Sequence, residues 1–102
     1  MLNKILIKSH FPDFMIIGAQ KGGTTTLHSL LNQHPQLQGS TVKELHYFDR
    51  KIHERDSLKN YKKNFLGNRF KQKKYFESTP NYMYQQNFGE EIVKLNPDIK
   101  LI

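Results

Sequence analysis

The chain has 102 residues, of which 36% are hydrophobic and 25% are charged, so it forms one small domain or part of one. It contains no cysteine, which excludes a disulfide scaffold, a thiolate zinc site and a catalytic thiol. No apolar run is long enough for a secretion signal or a membrane span, so we expect a cytoplasmic protein without a membrane partner.

The net charge of +7 comes from one stretch of the chain. No acidic residue lies between Ser57 and Phe76, and that stretch holds seven basic residues: Lys59, Lys62, Lys63, Arg69, Lys71, Lys73 and Lys74. We interpret it as a solvated helix face and turn, and the alternative is a surface that attracts an anionic partner. Leu58, Tyr61 and Phe65 lie among the lysines at core-facing helical spacing. We therefore expect no nucleic-acid partner, because the aromatic residues are better explained as core.

The first half of the chain predicts a strand, a tight loop and a helix. The apolar run from Phe14 to Ile17 is typical of a strand buried on both faces. A glycine-bearing loop follows, and Thr24 then begins a helix that ends at His34 and Pro35. We predict a polar loop at residues 36–40. We expect residues 42–48 to be irregular or weakly extended.

The second half predicts two more helices and two more strands. A helix is expected at about residues 57–65, with Ser57 as its N-cap. Another is expected at about residues 86–95 and is terminated by Asn96 and Pro97. Residues 74–77 and 99–102 are predicted strands. Strands that alternate with helices indicate an α/β fold with a parallel sheet.

The segment from Gly18 to Thr25 is the most informative, because it joins the predicted first strand to the first helix. A glycine-rich turn and a helix N-terminus together present free N–H groups to a phosphate. The spacing is close to that of the nucleotide-triphosphate loop, but Thr24 stands where that loop has lysine, and Lys21 lies inside the turn instead. A glycine-rich turn that binds no ligand is the alternative.

Four segments in order resemble the sulfotransferases that use 3′-phosphoadenosine 5′-phosphosulfate, above all the carbohydrate branch with the heparan sulfate glucosaminyl enzymes. They are residues 12–25, which resemble the opening strand and 5′-phosphosulfate loop, and residues 42–49, 77–82 and 96–102. The resemblance implies a P-loop NTPase-like parallel sheet with flanking helices. It also implies that residues 1–102 form the N-terminal part of a single sulfotransferase domain.

The resemblance further implies roles for individual residues. Glu44 is expected to be the general base and Lys21 to stabilise the leaving oxygen, with the 5′-phosphosulfate held along residues 18–26 by Lys21, Gly22, Gly23, Thr24, Thr25 and Thr26. His46 is expected to act in catalysis or to orient the acceptor, although a structural role is equally open. Asp49 and Ser78 are expected on the acceptor side. Several glucosaminyl members have lysine in place of Ser78, and the family's 3′-phosphate ligands have no counterpart in these 102 residues.

The resulting hypothesis is sulfuryl transfer from 3′-phosphoadenosine 5′-phosphosulfate to a hydroxyl or amine, on a carbohydrate or a small-molecule acceptor. No metal is expected, because the remaining histidines lack ligand spacing. With the 3′-phosphate ligands missing, we expect the 102-residue chain to bind the donor weakly and to turn over poorly or not at all. Two alternatives stay open. One is a P-loop nucleotide kinase or NTPase, and the other is a noncatalytic anion-binding module whose binding falls steeply with salt.

Overall fold

The computed structural model describes residues 7–18, 23–68 and 73–102, and the side chains of residues 7–9 and 68 are not described. Its strands are β1 (Ile7–Ser9), β2 (Phe14–Ile16), β3 (Leu37–Gly39), β4 (Leu66–Asn68), β5 (Lys74–Ser78) and β6 (Lys100–Leu101). Four of them form a parallel sheet in the order β3-β5-β2-β6, while β1 and β4 form a separate antiparallel pair. The predicted α/β class is therefore confirmed.

The helices are α1 (Thr24–Asn32), α2 (Leu58–Lys62) and α3 (Phe88–Leu95), with short 3-10 turns at Ile52–Glu54, Lys63–Phe65 and Pro80–Tyr84. Ser57 caps α2 as predicted, since its Oγ accepts a hydrogen bond of 3.1 Å from the Asn60 N–H. In the described part of the chain, no helix has the length and apolar character needed to cross a membrane.

The main core lies on the face of the sheet that carries α2 and α3. Alternation along β5 directs Tyr75 and Glu77 to this face. The apolar residues of the core are mostly aromatic: Met15, Phe48, Tyr61, Phe65, Tyr75, Tyr82, Phe88 and Ile92. Leu58 packs against their edge, so the core-facing spacing predicted for the lysine-rich helix is confirmed.

The opposite face of the sheet packs against α1. Phe76 stacks on Phe14 with ring centroids 4.9 Å apart, and the His28 ring of α1 lies 4.9 Å from Phe76. Helices on both faces follow from right-handed crossovers, because the chain moves from β2 to one edge of the sheet and later from β5 to the other.

The polar loop predicted at residues 36–40 is wrong, because Leu37–Gly39 is strand β3. Its sequence has little strand character, and the strand forms through its parallel pairing with β5. Gly39 permits this packing, since a Cβ there would lie 2.9 Å from His28 Nε2 and 3.1 Å from the Phe76 ring. Helix α3 also begins later than predicted, because Asn87 has a left-handed backbone with φ 66°.

Candidate functional site

The predicted site residues that the structure describes lie in the loops at the carboxyl edge of the parallel sheet or in the ends of the helix and strand beside them. The chain leaves β2 at this edge through residues 17–18, β3 through residues 40–49 and β5 through residues 79–84. The segment after β5 is joined directly to the end of β2, since the Thr79 N–H donates to the Ile16 carbonyl and the Met83 N–H donates to the Ile17 carbonyl, each at 3.1 Å. This is the edge at which open α/β sheets bind their ligands.

The N-terminus of α1 forms the first part of the site. Gly23 precedes the helix with a left-handed backbone (φ 84°, ψ 18°), a conformation that glycine adopts without steric cost. Among the described residues no side chain caps this end of the helix, and its first turn contains no acidic residue. The N–H groups and the positive end of the helix dipole are therefore oriented towards an anion.

The predicted phosphate-binding side chains are only partly described. Thr24 is buried, while Thr25 and Thr26 are exposed on the first turn of α1. Lys21 and Gly22 lie outside the described residues, and their role stays a prediction.

The structure brings Glu44, His46 and Asp49 together into one hydrogen-bonded group. His46 Nδ1 lies 2.6 Å from Asp49 Oδ2, and His46 Nε2 lies 3.2 Å from Glu44 Oε2. The Asn81 side-chain amide donates to the same Asp49 oxygen at 3.0 Å. The imidazole thus bridges two carboxylates, of which Asp49 is buried and Glu44 is exposed.

The charges of this group stabilise one another. The hydrogen bond to Asp49 raises the pKa of His46 above its ordinary value, against the effect of burial. Burial pulls the pKa of Asp49 upward, but the hydrogen bonds from His46 and Asn81 outweigh it and the pKa is lowered. The hydrogen bond from Lys43 is the main cause of the lowered pKa of Glu44. The arrangement favours an imidazolium between two carboxylates.

The backbone of His46 is strained. Its φ of 52° lies in the left-handed region, which costs a residue with a Cβ roughly 1–2 kcal/mol. Hydrogen bonds hold the neighbouring residues on both sides: the Leu45 N–H donates to Thr79 Oγ1 at 3.2 Å, and the Tyr47 N–H donates to the Tyr82 hydroxyl at 3.0 Å. A strained residue held from two sides at a ligand-binding edge is typical of a functional loop.

Lys43 is a site residue that the sequence reasoning did not select. Its Nζ lies 3.1 Å from Glu44 Oε1. Its charge also reaches His28, whose pKa is lowered first by burial and then by Lys43. The sequence signal that could have indicated its place in the site was its position directly before Glu44. Lys43 is a cation beside the predicted base.

Ser78 lies beneath the site. Its side chain is fully buried, and its Oγ lies 2.6 Å from His28 Nδ1 of α1. The structure therefore groups Ser78 with His28 on the α1 face of the sheet, apart from Glu44, His46 and Asp49. Its predicted role in acceptor binding is not tested by this arrangement. Within residues 7–18, 23–68 and 73–102, no group of three or more His, Cys, Asp or Glu side chains could hold a metal ion.

Comparisons with known proteins support the family resemblance. A family model described as "Sulfotransferase family" matches residues 12–100. Human heparan sulfate glucosamine 3-O-sulfotransferase 5 is 33% identical over 91 residues, which are 89% of this chain and 26% of that protein. The membrane-associated sulfotransferase kil1 of Dictyostelium discoideum is 33% identical over 96 residues, covering 89% of this chain and 19% of that protein. This chain thus spans about a quarter or less of these relatives.

A shorter match and a solved structure add to these relatives. Human carbohydrate sulfotransferase 15 is 48% identical over 40 residues, covering 39% of this chain and 7% of that protein. The crystal structure of a sulfotransferase from Alicyclobacillus acidocaldarius superposes with a TM-score of 0.74 at 23% identity, covering 90% of this chain and 43% of the other. The superposition supports the fold.

Proposed function

This chain belongs to the sulfotransferase family, and from that premise we propose that the protein transfers a sulfuryl group from 3′-phosphoadenosine 5′-phosphosulfate to a hydroxyl or amine on a carbohydrate. The observation that carries the proposal is the group formed by Glu44, His46 and Asp49, which lies at the same edge of the sheet as the uncapped N-terminus of α1. The carbohydrate acceptor is supported by the names of the relatives.

The residues at the N-terminus of α1 fit an anionic donor. The uncapped helix end and the left-handed Gly23 present N–H groups, and Thr25 and Thr26 add exposed hydroxyls. When bound, the donor supplies a sulfuryl group attached to a phosphate leaving group. We assign Lys21 to the leaving oxygen, where a cation stabilises the charge that develops during transfer.

Glu44 is the proposed general base. Its two oxygens accept hydrogen bonds from Lys43 and His46, but a carboxylate has about four lone-pair positions, so positions remain for the proton of an acceptor hydroxyl. The Glu44 side chain is 40% exposed, which leaves it open to an acceptor. His46 orients the carboxylate, and Asp49 holds the imidazole through Nδ1.

Calorimetric titration of the purified chain tests the donor site. The ligands are 3′-phosphoadenosine 5′-phosphate, ATP with magnesium, and inorganic phosphate. A preference for the bisphosphate is expected, and Lys21→Ala should weaken it whereas Lys51→Ala, which removes an exposed lysine elsewhere, should not. A preference for magnesium-ATP would replace the proposal with a nucleotide kinase. Equal binding of all three with a steep salt dependence would indicate a noncatalytic anion site.

Sulfate transfer to desulfated heparan sulfate, by a version of the protein that includes the family's 3′-phosphate ligands, tests the base. Glu44→Gln should lower the rate of transfer by about 100-fold or more, because general bases contribute rate factors of that order. The affinity for 3′-phosphoadenosine 5′-phosphate should change little, since Glu44 lies outside the α1 end of the site. Glu54→Gln is the matched control, because Glu54 is an exposed glutamate outside the Glu44 group. A Glu44→Gln rate equal to that of the unaltered protein would contradict the assignment.

A further inference from the structure

A buried carboxylate lies beneath the loop that carries Glu44. The Glu77 side chain is fully buried at the end of β5, in a core that is otherwise mainly aromatic. It accepts hydrogen bonds from the Tyr61 hydroxyl and, at 2.8 Å, from Thr79 Oγ1. A buried carboxylate of this kind persists only where donors surround it.

Two hydroxyls, those of Thr79 and Tyr82, connect the surroundings of Glu77 to the loop above. The Thr79 hydroxyl gives its proton to Glu77 and accepts the Leu45 N–H at 3.2 Å. The Tyr82 hydroxyl accepts the N–H of Tyr47 at 3.0 Å and that of Phe48 at 3.4 Å, and its interaction with Glu77 lowers the pKa of that carboxyl. The amides of Leu45 and Tyr47 belong to the residues on either side of His46.

The chemistry of a hydroxyl explains why Glu77 matters to these contacts. A hydroxyl has one proton and two lone pairs, and it rotates to suit its partners. With its proton held by Glu77, the Thr79 hydroxyl directs a lone pair to the Leu45 amide. Hydrogen bonds in such a chain also strengthen one another.

We propose that Glu77 is a positioning residue of the acceptor site, which orients the hydroxyls of Thr79 and Tyr82 so that they hold the loop around His46. This inference rests on the proposed function, in which that loop carries the general base. Glu77 touches neither donor nor acceptor, and it acts through the two hydroxyls. Its effect is to keep Glu44, His46 and Asp49 in one arrangement despite the strained backbone of His46.

The electrostatic surroundings of Glu77 are consistent with this role. Burial raises its pKa to about 6, while the hydrogen bonds from Tyr61, Thr79 and Tyr82 oppose that increase and Asp49 adds to it. Above pH 6 the group is therefore a carboxylate that can accept from all three hydroxyls.

The pKa of His46, measured by NMR titration, tests the proposal without a ligand or turnover. The hydrogen bond to Asp49 raises this pKa, so it reports whether the loop keeps its arrangement. In Glu77→Gln it should fall towards 6.5, the ordinary value for histidine. In Glu90→Gln, which alters an exposed glutamate of α3, it should stay as in the unaltered chain. An unchanged His46 pKa in folded Glu77→Gln would overturn the proposal, because a role in packing alone does not move it.

A second variant keeps the proposal testable if Glu77→Gln does not fold. Thr79→Val removes one hydroxyl and leaves Glu77 in place. The amide of Leu45 should then exchange with solvent at least about tenfold faster, since a hydrogen bond of about 1.5 kcal/mol corresponds to roughly that factor. Ser29→Ala, which removes an exposed hydroxyl from the middle of α1, is the control. Unchanged exchange at Leu45 would overturn the proposal, whereas failure to bind the donor would affect only the proposed function.

Discussion

Replacing Glu77 by glutamine should remove a pH-dependent loss of stability. Burial raises the pKa of this carboxyl from 4.5 to about 6 in the folded chain. The folded state therefore holds its proton over a range in which the unfolded state has already lost it, and the free energy of unfolding falls as pH rises from about 4.5 through 6. The two values differ by about 1.5 pKa units, which at 1.36 kcal/mol per unit amounts to about 2 kcal/mol.

Urea unfolding at pH 4 and pH 7.5, followed by circular dichroism, measures this effect. From the lower to the higher pH, the unaltered chain should lose about 2 kcal/mol relative to Glu77→Gln, because the other titrating groups are common to both proteins. Glu90→Gln should follow the unaltered chain. Equal pH dependence in the unaltered chain and in Glu77→Gln would show that the buried carboxyl does not titrate as described, and the reasoning would fail.

Two further predictions concern packing and the imidazole. Gly67→Ala should lower stability by about 1–3 kcal/mol, because its Cβ would lie 1.8 Å from the buried Tyr75 hydroxyl. Gly89→Ala should raise stability by about 0.5–1 kcal/mol, because a Cβ there would meet nothing within 4 Å beyond its own helix backbone and chain neighbours. Thermal unfolding of both variants measures these changes. Because the pKa of His46 is raised in the folded chain, the protonated ring stabilises the fold. This contribution to the free energy of unfolding is full below about pH 6.5 and is lost as pH rises through the pKa of the folded state. The stability difference between the unaltered chain and His46→Gln should therefore shrink from pH 6 to pH 8. The decrease should be less than about 1 kcal/mol, because the ring is 42% exposed. A difference that stays constant with pH would contradict this prediction.

The sequence predicted those elements whose signals are local. Strand β2 and helix α1 follow from an apolar run and from helical spacing that lie close to one another in the chain. Strand β3 was missed because its neighbour in the sheet, β5, supplies its hydrogen bonds, and that pairing joins Leu37 to Lys74.

The residues of the site likewise divide into those that a local sequence pattern predicted and those that only the tertiary structure shows. Glu44, His46 and Asp49 lie within six residues of the chain, and the resemblance of residues 42–49 to a family motif predicted them as site residues. The contact between Glu77 and Tyr61 was not predictable, since it depends on which face of β5 each side chain occupies and on a helix sixteen residues earlier in the chain. Sequence patterns specify neighbours along the chain, whereas the support beneath the loop is assembled by tertiary packing.

The end of β5 connects the two halves of the site because adjacent residues of a strand point to opposite faces. Glu77 faces α2 and holds the loop of the proposed base through Thr79, while Ser78 faces the other way and bonds to His28 of α1. Helix α1 begins at the proposed phosphate site. The helix of the donor end and the acceptor loop are therefore each bonded to one of two adjacent residues of β5, Ser78 and Glu77 respectively. Transfer between donor and acceptor requires their reacting atoms to lie nearly in line. A one-residue slip of β5 would exchange the two faces and separate both supports from their partners, so the register of this strand fixes the geometry on which the proposed transfer depends.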